Sequence, residues 1–140
     1  MFTFLRAFLG VLLSVCVAHP VLACRFRPPS AAAAYRNADI VVRASVLSVE
    51  GEPYRSGGAR AKLRVDTAWK ADIAGDITVN TSTTCAVDFQ VGKDYLIFLH
   101  RKPTGELTTT IDMGDRILGE SDAALNWLRR HGRKSQLRQN

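Results

Sequence analysis

The feature that most restricts how this chain can fold is a series of five strand-like segments with no helical stretch between any two of them. Ile40-Val41-Val42-Arg43-Ala44-Ser45-Val46-Leu47-Ser48-Val49 is dense in β-branched residues, which suit an extended backbone. From Ala61 to Trp69 the pattern alternates, with Ala61, Leu63, Val65, Thr67 and Trp69 on one face and Lys62, Arg64 and Asp66 on the other. Asp76–Thr81, Tyr95–Leu99 and Leu107–Ile111 complete the set. Turn chemistry separates them: Gly51, Pro53, Gly57 and Gly58 after the first, Gly92-Lys93 before the fourth, and Pro103-Thr104-Gly105 before the fifth. Short strands without a βαβ rhythm predict a mainly β fold, a small five-stranded barrel. A short helix is expected at each end. Ser30 can cap one over Ala31–Arg36, after Pro28-Pro29, and Ser121 can cap another over Asp122–Arg130, with Ala124, Leu125 and Leu128 on its apolar stripe. Trp69 and Trp127 are expected as core anchors.

The segment ahead of this domain follows export grammar. Arg6 precedes the apolar run Ala7–Ala18, and Val21 and Ala23 stand at the −3 and −1 positions of a small-residue cleavage site. The run is too short to span a bilayer as a helix. Residues 1–23 therefore read as a signal peptide, 24–131 as one domain, and 132–140 as a disordered basic tail. Secretion or delivery to a periplasm follows as the expected localisation.

Cys16 lies within that signal, so the mature chain keeps Cys24 and Cys85. One pair in an exported protein reads as one disulfide, closing a loop of about 60 residues worth roughly 4 kcal/mol in the chain-entropy model. The rival is a lipoprotein cut, because Cys24 follows Val21-Leu22-Ala23. Bulky Leu22 fits that motif poorly, and lipidation would leave Cys85 without a partner.

The net charge of +6 is concentrated at the end, where Arg129, Arg130, Arg133, Lys134 and Arg138 meet no acid after Asp122. The barrel region is balanced and shows no basic, aromatic-rich face, which argues against nucleic acid as a partner. His100 and His131 have no Cys or acidic neighbours at metal-ligand spacing, so no metal or other cofactor of its own is expected. No nucleophile motif or phosphate loop is present, and an enzyme is not expected. Asp112 and Asp115 read as a solvated turn around Met113-Gly114, and Ser82–Thr84 as a hydroxyl cluster without a base. Asn80-Thr81-Ser82 matches a glycosylation sequon.

The new amino terminus at Cys24 is the one chemically distinctive group. A free α-amine titrates near 7.7–8.0, so a useful fraction is unprotonated at neutral pH and able to ligate a metal together with its own carbonyl. A structural staple is the plainer reading of the same cysteine.

Cys24-Arg25-Phe26-Arg27-Pro28-Pro29, followed by Ala34-Tyr35-Arg36-Asn37-Ala38-Asp39-Ile40-Val41-Val42-Arg43-Ala44, resembles the start of the tissue inhibitors of metalloproteinases. Ala68-Trp69-Lys70, Cys85-Ala86-Val87-Asp88-Phe89 and Leu107-Thr108-Thr109-Thr110-Ile111 extend the likeness across residues 24–128. The resemblance implies a netrin-like OB-fold barrel and a Cys24–Cys85 disulfide. It also implies inhibition of an extracellular or periplasmic zinc metalloprotease, whose zinc, supplied in trans, would be bound by the amine and carbonyl of Cys24. Arg25 would enter the specificity pocket, with Phe26, Arg27 and Pro28 extending the wedge and Ser82, Thr83, Thr84, Thr109 and Thr110 beside it. Phe26 and Ile111 stand where the family has a second pair of cysteines, Arg36 replaces another, and a long cation at Arg25 replaces a usually small residue. The alternative reading is a secreted or periplasmic OB-fold module that binds a protein or glycan without inhibiting, tethered by lipid if Cys24 is acylated.

Overall fold

The computed structural model describes residues 27–119 and 122–133. The elements are α1 (Ala31–Asn37), β1 (Ile40–Gly51), β2 (Ala59–Trp69), β3 (Gly75–Thr81), β4 (Asp94–Arg101), β5 (Leu107–Thr108), a 3-10 turn (Ile111–Met113), β6 (Arg116–Ile117) and α2 (Ala123–His131). β1, β2 and β3 form an antiparallel meander, β3 pairs in parallel with β5, β5 pairs with β4, and β4 returns to β1. That ring closes a five-stranded barrel with a short helix at each end, consistent with an OB-fold-like architecture. β6 is an extra two-residue strand beside β4.

Two apolar clusters explain the architecture. The barrel interior holds Ile40, Val42, Ala44, Val46, Leu63, Val65, Val79, Ile97 and Leu99. A second layer outside the barrel packs Val41, Trp69, Leu96 and Phe98 against Ala34 of α1 and Ala124, Leu125 and Leu128 of α2. β1 and β4 are therefore buried on both faces, which is why Ile40-Val41-Val42 and Leu96-Ile97-Phe98-Leu99 are unbroken apolar runs.

Trp69 is 1% exposed, as expected of an anchor, but it does not share a face with Leu63 and Val65. Arg43 pairs with Thr67 and Ala44 with Val65, leaving Asp66 as an extra residue. This bulge reverses the alternation, so Ala68 takes the interior and Trp69 turns out under the helices. Trp127 is half-buried at the edge of that layer.

Other expectations need correction. The fifth strand stops at Thr108, because the chain turns at Thr110 into the 3-10 segment and the Ile111 amide donates to the Cys85 carbonyl at 2.7 Å. Asp122 caps α2, its carboxylate accepting from the Leu125 amide at 2.9 Å; the expected cap Ser121 lies outside the described residues. Gly132 and Arg133, expected to open the tail, are held. The Gly132 amide donates to Leu128, and the Arg133 amide donates to the Tyr35 hydroxyl while its carbonyl accepts from Lys70. The Ser30 cap on α1 is as expected. No helix among the described residues is long and apolar enough to cross a membrane.

Candidate functional site

Cys24, Arg25 and Phe26 lie outside the described residues, so the site is built from what surrounds their expected anchor. Cys85 is the single cysteine among the described residues and is disulfide-bonded. No disulfide joins two described residues, and the expected pairing with Cys24 lies outside them.

The segment leading into Cys85 is a tight, exposed loop. Ser82, Thr83 and Thr84 are all solvent-facing. Thr83 has φ +83°, a left-handed conformation that a β-branched residue enters only under constraint. The constraint is visible: the Thr83 carbonyl accepts from the Ala86 amide at 3.2 Å and its hydroxyl from the Cys85 amide at 3.3 Å. Two residues earlier, the buried Thr81 hydroxyl accepts from the Val87 amide at 2.8 Å. The loop is thus pinned from within at both ends.

The segment Thr109–Met113 lies against it. The Ile111 amide reaches Cys85, and the Ile111 side chain packs on the barrel core. Thr110 is half-exposed and lines the same cleft as Ser82 and Thr83. Thr109 does not join that surface. It is 2% exposed, so it shapes the ridge only from beneath. Gly114 follows at φ +106°, and a Cβ there would sit 3.3 Å from both Ala34 and Pro29. α1 and the start of the described chain therefore press directly onto this turn. Arg27 and Pro28 are exposed just ahead of it.

Asp115 is the functional-looking group that sequence reasoning missed. It is 6% exposed, not solvated. One carboxyl oxygen accepts from the Phe98 amide at 2.7 Å; the other lies 2.6 Å from the Thr109 hydroxyl, itself 2.8 Å from the Phe98 carbonyl. Burial pushes the Asp115 carboxyl up to about 8. The sequence carries only a faint signal for this, an acid squeezed between a glycine turn and the apolar pair Ile117-Leu118.

An open cleft of about 430 Å³ borders the ridge, between the β1–β2 connection at Gly57 and the β4–β5 turn at Lys102 and Glu106. Arg60 donates to the Asn80 amide oxygen at 3.3 Å, and the Asn80 nitrogen donates to Glu106 at 2.7 Å. Lys102 lies 3.0 Å from Glu106 and, with Asn80, holds its carboxyl below the usual range. The Asn80 sequon side chain is therefore engaged across the cleft floor. On the same rim the His100 ring meets Asp39 at 3.3 Å. Asp39 also accepts from the Arg101 amide at 2.9 Å, which with His100 lowers its pKa. Among the described residues no three His, Cys, Asp or Glu side chains are grouped to hold a metal.

No known family's sequence profile matches the chain, and no curated protein matches it.

Proposed function

We propose that this is a secreted inhibitor of zinc metalloproteases, acting through the amine and carbonyl of a mature N-terminal Cys24. The observation that carries the reading is the hydrogen bond from the Ile111 amide to the Cys85 carbonyl. It joins the exposed Ser82–Thr84 loop and the Thr110 turn into one ridge around the cysteine expected to hold the terminus. A chelating terminus gains affinity when it is held before it binds, because less ordering remains to be done. Zinc in a protease keeps an open position occupied by water, which an amine and its neighbouring carbonyl can displace. The zinc belongs to the target. In this reading Arg25 enters the specificity pocket, so the preferred target has an acidic or open pocket. Arg27, Pro28, Ser82, Thr83, Thr84 and Thr110 supply the flanking contacts.

The test compares the mature protein with a form carrying one extra N-terminal alanine on a panel of zinc metalloproteases. The authentic terminus should inhibit and the extended form should lose at least a hundredfold in potency. Equal inhibition by both, or none by either, refutes the mechanism. Inhibition should also weaken below the amine pKa, because a protonated amine cannot ligate.

The polar cleft favours a second reading, a non-inhibitory module that binds a protein or glycan. It lies between the connections that follow β1 and β4, a position OB-fold barrels use for ligands. Under that reading the extra alanine changes nothing and substitution of Arg60 or Lys102 abolishes binding.

A further inference from the structure

We propose that Asp115 is a positioning residue for the Cys85 ridge, a carboxylic acid kept neutral so that it can bridge Thr109 to the edge of β4. This rests on the reading of that ridge as the contact surface. The protons available to these groups can be counted. Phe98 turns both its amide and its carbonyl towards Thr109 and Asp115. β5 pairs with β4 only at His100 and Arg101, and β6 only at Tyr95 and Leu96. The Phe98 edge therefore falls in a gap between two short strands, and two side chains fill the place of a missing rung. The Phe98 amide brings its own proton to Asp115. The Thr109 hydroxyl lies 2.8 Å from one oxygen acceptor and 2.6 Å from another, yet it has a single proton. The second proton must come from Asp115. An ionised carboxylate would leave one close oxygen pair with no hydrogen between them, inside the protein.

The surroundings agree. Asp112, on the 3-10 turn, opposes ionisation, whereas Arg116 of β6 favours it but spends its Nε on the Gly114 carbonyl at 3.0 Å. From β4 the group that meets Asp115 is the uncharged Phe98 backbone. From α1 and the chain before it, Ala34 and Pro29 close over Gly114 without charge. The consequence for the site is mechanical. Thr109 and Asp115 are the two ends of the loop that carries Thr110 and Ile111 to Cys85. Fastening both ends to one residue of β4 fixes where Thr110 stands.

The experiment compares the full mature chain with Asp115→Asn and Asp115→Ala. Asparagine keeps one acceptor for Phe98 and one donor for Thr109 at every pH; alanine keeps neither. In the native protein the Asp115 carboxyl carbon should titrate by NMR with a midpoint near 8, far above the ordinary aspartate range. Relative to Asp115→Asn, the native unfolding constant should rise by up to tenfold per pH unit between about 4 and 8 and level off above, because only the folded state holds the extra proton in that window. Amide exchange at Ile111 should accelerate at least tenfold in Asp115→Ala while Leu63 in the β1–β2 ladder is unchanged, with Asp115→Asn matching the native protein. A midpoint near 4, or failure of asparagine to rescue Ile111, overturns the proposal. So does equal acceleration at Ile111 and Leu63, which would make Asp115 a general stabiliser. If these readouts hold and no form inhibits any protease, the positioning role stands and the inhibitor reading fails.

Discussion

Replacing Lys70 with methionine should unfasten α1 from the barrel. Lys70 follows Trp69 at the end of β2 and holds φ +72°. Its ammonium donates to the carbonyls of Tyr35 at 2.8 Å and Arg36 at 3.1 Å, and to that of Ala38. These are carbonyls at the C-terminal end of a seven-residue helix, too short to persist by itself. A positive charge at that end is also favoured by the helix dipole. A hydrogen bond to a charged group contributes roughly 1.5–3 kcal/mol when buried. Two of the three here are solvent-exposed and water can replace them, so the whole set should contribute about 2 kcal/mol. For a domain of this size that lowers the melting temperature by roughly 10 °C. Lys70→Gly loses the same bonds but removes the left-handed strain, so it should be about 1 kcal/mol better than methionine. Urea titrations followed by Trp69 and Trp127 fluorescence measure both. Near-native stability of Lys70→Met, within 0.5 kcal/mol, would refute the reasoning. So would a glycine variant more stable than the native protein, since strain would then outweigh the amine. Because α1 presses Ala34 onto Gly114, the methionine variant should also speed amide exchange at Ile111.

Thr83→Gly should stabilise the protein by about 1 kcal/mol in denaturant titrations, since the φ +83° strain is removed at the cost of one exposed hydrogen bond. If that strain holds the loop in its binding shape, the same variant should inhibit less well. Gly58→Ala should destabilise by more than about 2 kcal/mol, because at φ +69° its Cβ would lie 2.4 Å from the Thr81 carbonyl oxygen and 2.6 Å from the Ser82 Cβ. Thermal melts and chemical shifts of residues 81–84 would register it. Asp94 bonds the Ser45 hydroxyl at 2.5 Å and Arg43 at 3.1 Å, which together lower its pKa. A lowered folded pKa contributes stability above about pH 4 that disappears as pH falls through the folded value. Asp94→Asn should therefore be less stable at neutral pH and show a shallower acid limb in melts between pH 2 and 6.

The elements were largely legible because each is a local pattern. Ser30 caps α1, the β-branched run of β1 and the double-sided apolar run of β4 announce strands, and glycine turns part them. The length of β5 is not legible, because Thr108, Thr109 and Thr110 look alike in sequence. Only the hydrogen bond from Ile111 to Cys85 stops the strand. Simple alternation places Trp69 on the interior face because it assumes no bulge, and the bulge at Asp66 is set by the register against β1. At the candidate site, the exposed hydroxyls of residues 82–84 were legible as loop chemistry, whereas the buried Thr109 looked the same as its neighbour.

By itself, the sequence determined that this chain makes short strands, parted by glycine turns and joined without crossover helices. Those outcomes follow from side-chain type and spacing along the chain. Closing the ring by pairing β1 with β4, turning Trp69 outward, and sealing Asp115 from water were decided only in three dimensions. In each, the deciding quantity is which distant group supplies a hydrogen bond or excludes solvent, and no local pattern encodes that. A carboxyl beside a glycine turn is ordinarily hydrated; this one meets Phe98 and Thr109 instead, and so keeps its proton.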